Sequence, residues 1–109
     1  MAYEKVAEAN QLKPGEMKRF PLQNRMILLA NVGGAIYALD NKCPHLGGDL
    51  SAGVLDGTMV TCPRHGAKFD VRTGENLGNA KIAFIKMNVG NAKSFSVKTE
   101  GNDILVDLG

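Results

Sequence analysis

Both cysteines and both histidines of this 109-residue chain fall between positions 43 and 65. They stand in two short segments, Cys43-Pro44-His45-Leu46-Gly47-Gly48 and Cys62-Pro63-Arg64-His65-Gly66, and in each a thiol and an imidazole lie a few positions apart. Proline fixes φ and glycine adopts conformations closed to other residues, so both segments are suited to turn tightly around a ligand. A fold that uses them together must place two loops side by side. The Asp56-Gly57 dipeptide between them is a favoured hairpin turn, which leads the chain away from the first loop and back so that Cys62 arrives beside Cys43.

The flanking sequence supports such an arrangement. Met26-Ile27-Leu28-Leu29-Ala30-Asn31-Val32 and Ala35-Ile36-Tyr37-Ala38-Leu39 are apolar runs joined by Gly33-Gly34, which reads as a hairpin. Lys13-Pro14-Gly15-Glu16 reads as a turn into a strand over Met17 to Leu22. Val54-Leu55 and Thr58 to Thr61 flank the Asp56-Gly57 turn, and Ser94 to Thr99 alternates with period two before Glu100-Gly101-Asn102 reverses the chain into Asp103 to Val106. Residues 75–93 are harder to place, although Ile82, Phe84, Ile85, Met87 and Val89 could seat another strand. Glycine at 13 of 109 residues and the absence of tryptophan fit a turn-rich chain. The expectation is one all-β domain over residues 1–109.

Two thiolates and two imidazoles ask for a metal. The set suits tetrahedral zinc, and it equally suits a [2Fe–2S] cluster in which two cysteines hold one iron and two histidines the other. In a usual zinc finger each short segment donates like ligands, whereas here each gives one of each kind, with 16 residues between His45 and Cys62. A two-iron cluster gripped by two loops takes one ligand per iron from each loop, which assigns Cys43 and Cys62 to one iron and His45 and His65 to the other. A structural zinc site and a Cys43–Cys62 disulfide are the plainer alternatives. Neither explains the symmetric placement of the two histidines.

The pattern Cys-x-His, 16 residues, Cys-x-x-His resembles that of Rieske-type iron–sulfur proteins. Residues 35–41 before the first loop and 66–75 after the second are similar to the flanks of small Rieske ferredoxins. The resemblance implies a β-sandwich-like base carrying a small cluster-binding subdomain, here at about residues 41–80, with one [2Fe–2S] cluster per chain. It also implies a stand-alone electron carrier, fed by a flavin- and NAD(P)H-dependent reductase and delivering to a terminal oxygenase or monooxygenase. The small Rieske-like subunit of a nitrite reductase and a zinc-binding interaction module are the competing readings. An oxygenase itself would need two further histidines for a mononuclear iron, and this chain has only the two already assigned.

Other residues invite plainer readings. Gly47, Gly48 and Gly66 turn the chain and let backbone N–H groups approach the cluster sulfides; Leu46 and Phe69 read as apolar cover. Lys42, Arg64 and Lys68 against Asp49, Asp56 and Asp70 read as a solvated surface. High-potential Rieske proteins add a disulfide between the loops and Ser and Tyr hydroxyls toward the sulfurs; the matching positions here are Gly48, Arg64, Ala67 and Phe69, which implies a low potential. The four prolines are Pro14, Pro21, Pro44 and Pro63, so a proline-bearing third loop over the site is missing, and Glu75 to Ala80 is the expected, pliant cover.

A formal net charge of +2 without runs of like charge speaks against nucleic acid or an anionic membrane as partner. The charged N-terminal segment does not read as a signal peptide, and the run from Met26 to Leu39 is too short to span a bilayer. A cytoplasmic monomer is the expectation.

Overall fold

The computed structural model describes residues 2–44, 48–63, 66–78, 81–82, 85–86 and 90–109. Its strands, in chain order, are β1 (Tyr3–Glu8), β2 (Met17–Leu22), β3 (Arg25–Val32), β4 (Ala35–Asp40), β5 (Val54–Asp56), β6 (Met59–Thr61), β7 (Lys68–Asp70), β8 (Asn76–Gly78), β9 (Lys81–Ile82), β10 (Ile85–Lys86), β11 (Ser94–Glu100) and β12 (Asp103–Asp107). Short 3-10 helices at Ala9–Gln11 and Leu50–Ala52 complete the described elements. A six-stranded antiparallel sheet runs β1-β12-β11-β4-β3-β2, a four-stranded one β5-β6-β7-β8, and β9 pairs with β10. The all-β expectation is met.

Strand β3 explains how the parts adhere. Its alternate residues Leu28 and Ala30 join one buried cluster, while Ile27 and Leu29 join another with Ile104 and Val106. A strand buried on both faces reads as a continuous apolar run, which is what Ile27 to Ala30 is. The first of these clusters also contains Leu39 of β4, Val60 of β6, Phe69 of β7 and both cysteines. One core therefore joins the large sheet to the smaller one, and the cysteines are part of it.

The hairpins fall close to the sequence expectations. Gly33 and Gly34 have φ of 61° and 99°, the pair of positive values that a type I′ turn requires, between partners Val32 and Ala35. The buried Asn31 supports that turn: its Oδ1 accepts from Gly34 N at 2.8 Å and its Nδ2 donates to Leu12 O at 2.9 Å. In the second hairpin Asp56 pairs with Met59, so the turn is Gly57-Thr58 and not Asp56-Gly57. Gly57, with φ of 60°, takes the first turn position, where a positive φ is needed, and the register shifts by one residue. The third hairpin turns at Gly101-Asn102 between Glu100 and Asp103.

Strand β1 had no signal in the sequence reading; of its residues only Ala7 is buried. Glu75 to Ala80 was expected to be a pliant cover; within it Asn76–Gly78 forms the fourth strand of the smaller sheet, paired with β7 through Phe69↔Asn76 and Lys68↔Gly78. Asn79, Ala80, Phe84, Met87 and Val89 lie outside the described residues. No helix among the described residues is long and apolar enough to cross a membrane.

Candidate metal centre

Cys43 follows β4 and Cys62 follows β6, each opening a loop of the same length and closure. In the first loop Cys43 N–H donates to Gly48 O at 2.6 Å, and in the second Cys62 N–H donates to Ala67 O at 2.7 Å. Outside these bonds the flanking residues pair in the same way, Lys42 with Asp49 and Thr61 with Lys68. The two segments that each begin with a cysteine are thus closed by the same backbone hydrogen bond. Pro44 and Pro63, second in each loop, are exposed.

Both cysteines are almost inaccessible, at 1% exposure each, and neither is in a disulfide. They belong to one apolar cluster with Leu50, Val60, Ala67 and Phe69. The disulfide alternative is not realised. Two buried sulfurs presented by paired loops from a shared apolar wall fit a soft, iron-binding site. His45, His65, Leu46, Gly47 and Arg64 lie outside the described residues.

Gly53, at the end of the 3-10 turn after the first loop, explains how the two loops are held together. A Cβ there would lie 1.8 Å from the Thr61 carbonyl oxygen and 3.2 Å from Pro63 Cδ. Only a glycine lets the chain leaving the first loop pass so close to the residues on either side of Cys62. A similar contact fixes the other side of the site. A Cβ at Gly74 would meet Ala92 O at 2.1 Å, and Ala92, which packs in the cysteine cluster, donates its N–H to Gly74 O at 2.7 Å.

The acidic residues near the loops are not all the solvated surface expected from sequence. Asp56, Lys42 and Lys68 are exposed, but Asp70 is buried. Arg72 grips it with Nε at 3.1 Å from Oδ1 and one terminal nitrogen at 2.8 Å from Oδ2. These hydrogen bonds hold the Asp70 carboxyl below the usual carboxylate range against the opposing effect of burial. At Asp49 burial pushes upward, and hydrogen bonds from Ser51 and Asn41 with the charge of Arg19 outweigh it, so this carboxyl too is lowered. Sequence reasoning missed Asn41, Ser51 and Gly53. A small residue and two polar ones bordering an apolar motif were the available signal, but their partners are distant in sequence or depend on the folded turn.

A family model of the Rieske [2Fe-2S] domain matches residues 2–87. The chain belongs to the Rieske [2Fe-2S] domain family. The ferredoxin component of biphenyl 2,3-dioxygenase from Rhodococcus jostii (strain RHA1) is 42% identical to it over 108 residues, covering 99% of this chain and 94% of that protein. The ferredoxin of carbazole 1,9a-dioxygenase from Nocardioides aromaticivorans IC177 superposes with a TM-score of 0.81 at 30% identity, covering 97% of each chain. A chain from a complex of reduced oxygenase and oxidized ferredoxin in carbazole 1,9a-dioxygenase superposes at 0.77 with 28% identity, covering 95% of this chain and 91% of that one. This Rieske protein carries one [2Fe–2S] cluster per chain and is an electron carrier, not an enzyme. The zinc-module reading is set aside.

Proposed function

We propose that this Rieske protein is a low-potential carrier whose cluster is held by Cys43 and Cys62 on one iron and by His45 and His65 on the other. It takes single electrons from a flavin-dependent NAD(P)H reductase and passes them to a terminal oxygenase. The observation that carries the ligand reading is the matched pair of loops, each opened by a buried cysteine, closed by the same backbone hydrogen bond, and bearing one histidine in its sequence. When bound, the cluster supplies one-electron redox chemistry. The chain supplies an apolar wall behind the cysteines and, from the sequence, histidines two or three positions beyond them. The four-stranded sheet, with the ligand loops at 43–48 and 62–67, is the support for a cluster-binding subdomain at about residues 41–80.

The partners are proposed from the similarity to ferredoxin components of dioxygenase systems, and the oxygenase–ferredoxin complex supports an oxygenase as acceptor. A monomer in the cytoplasm fits this role. The low potential follows from what surrounds the sulfurs. Ala67 and Phe69 are fully buried in the cysteine cluster and carry no hydroxyl, and no cysteine stands at 48 or 64. Fewer hydrogen bonds to sulfur leave the more negative, reduced cluster less stabilised, which supports a midpoint near −150 mV in the Rieske range of roughly −150 to +300 mV.

The ligand assignment is tested by His45→Ser and His65→Ser, made separately. Each is expected to lose the Rieske visible and EPR spectra and to bind less iron, since a half-ligated iron is open to hydrolysis. Retention of the full spectrum by either variant would remove that histidine from the ligand set.

A further inference from the structure

The two ligand loops are closed alike but supported differently. The second lies on a continuous ladder, with Thr61↔Lys68, Val60↔Phe69 and Met59↔Asp70 extending β6 and β7 below it. Among the described residues there is no such ladder below the first. Lys42↔Asp49 is an isolated bridge, β4 has ended at Asp40, and Asp49 leads straight into the 3-10 turn.

Side chains stand where the ladder would be. Asp49 Oδ1 accepts from Ser51 Oγ at 2.8 Å and from Asn41 Nδ2, and its Oδ2 accepts from Arg19 of β2 at 2.7 Å. Asn41, only 4% exposed, is held at both ends of its amide, since its Oδ1 accepts from Ser51 N at 2.9 Å. Its backbone also takes part: Leu50 N donates to Asn41 O at 2.9 Å, and Asn41 N donates to Met26 O of β3 at 3.1 Å. The residues immediately before and after the first loop are thereby tied to each other and to two strands of the large sheet.

We propose that Asp49, gripped by Asn41, Ser51 and Arg19, is a positioning residue that holds the first ligand loop in register with the second. This rests on the reading of His45 as a ligand carried by that loop. Without the carboxylate, the buried Asn41 amide loses its acceptor and Arg19 its tether, leaving one isolated bridge and the backbone bonds around it to fix the loop. Groups that orient metal ligands act on the metal in this indirect way, and their loss typically weakens binding about 10- to 100-fold.

The test uses the holoprotein and reads the cluster directly. Asp49→Ala, Asp49→Asn and Arg19→Met are compared with wild type and with Lys98→Ala, which removes an exposed ion pair to Glu100. The rate of bleaching under air and the g-anisotropy of the reduced cluster by EPR are measured. Asp49→Ala is expected to bleach about tenfold faster, the low end of that range, with a broadened and shifted EPR signal. Asp49→Asn, which keeps an acceptor oxygen, and Arg19→Met should fall between it and wild type, and Lys98→Ala should match wild type. Should Asp49→Ala fail to fold, the other two variants carry the test by the same signal. Wild-type spectra in the Asp49 and Arg19 variants would overturn the proposal, and so would faster bleaching with an unchanged EPR signal, which is the mark of general destabilisation. The histidine variants judge the ligand reading separately, because the clamp is read only against a wild type that shows the Rieske signal.

Discussion

Replacing Gly53 with Ala places a methyl carbon 1.8 Å from the Thr61 carbonyl oxygen, where real contacts begin near 3.0 Å, so the two backbone segments must part by roughly 1.2 Å. No side-chain rotation relieves this, because the close atoms are the main chain of Thr61 and the ring of Pro63. Overpacking a well-ordered site destabilises by about 1–3 kcal/mol, and an immovable backbone partner puts this case at the upper end. Against it stands the reduced freedom of the unfolded chain, which favours Ala over Gly by about 0.4–1 kcal/mol. The net loss is about 2 kcal/mol, or a fall of roughly 8 °C or more in the unfolding midpoint for a domain of this size. Thr61 and Pro63 bracket Cys62, so the displacement falls on the second ligand loop, and the variant should also hold less iron. Gly90→Ala is the control: a Cβ there meets nothing within 4 Å and the backbone is not left-handed, so its stability should stay within about 0.5 kcal/mol of wild type. The assay is thermal unfolding by circular dichroism together with iron content per chain. Gly53→Ala with the midpoint of Gly90→Ala and a full complement of iron would refute the idea that this contact locks the loops together.

Two further outcomes follow from the surroundings of the loops. Ala67→Ser and Phe69→Tyr place hydroxyls in the cysteine cluster and should raise the midpoint, measured by voltammetry at pH 7, from near −150 mV; a wild-type value above about +100 mV, or no shift in either variant, contradicts the account of the potential. Asp70, with its folded pKa lowered by Arg72, contributes stability that is fully present above the ordinary carboxylate value near 4 and is lost as pH falls through the lower folded value. Between pH 6 and pH 3 the wild type should therefore lose more stability in urea unfolding than Asp70→Asn does, and equal losses would show that this carboxylate has no linked role.

The features most legible in sequence were those set by neighbouring residues. Gly33-Gly34 announced its turn because two successive positive φ values are open to few other pairs. The run from Met26 to Val32 announced a strand, though burial on both faces became evident only when the second sheet was seen packed against it. The two Cys–His segments were local as well, with their cysteines, prolines and glycines confined to residues 43–48 and 62–66. What remained hidden depended on contacts across the chain. Strand β1 is a strand because β12 pairs with it, not because of its own composition. Asp70 looked like a surface acid because nothing in Lys-Phe-Asp-Val-Arg shows that Arg72 turns back onto a buried carboxylate. Asn41 and Asp49 stand on opposite sides of the first loop, and Arg19 reaches Asp49 from a strand 30 residues earlier.

The central claim is that four residues in two loops hold one redox-active cluster, and pulsed EPR of the dithionite-reduced protein, with iron, sulfide and zinc analysis of the same sample, tests it most directly. The account predicts two irons and two labile sulfides per chain, one unpaired spin after uptake of one electron, and hyperfine coupling from two imidazole nitrogens when the protein is labelled at histidine with nitrogen-15. Stoichiometric zinc in a colourless protein, or a reduced cluster without coupling from histidine nitrogen, would contradict it.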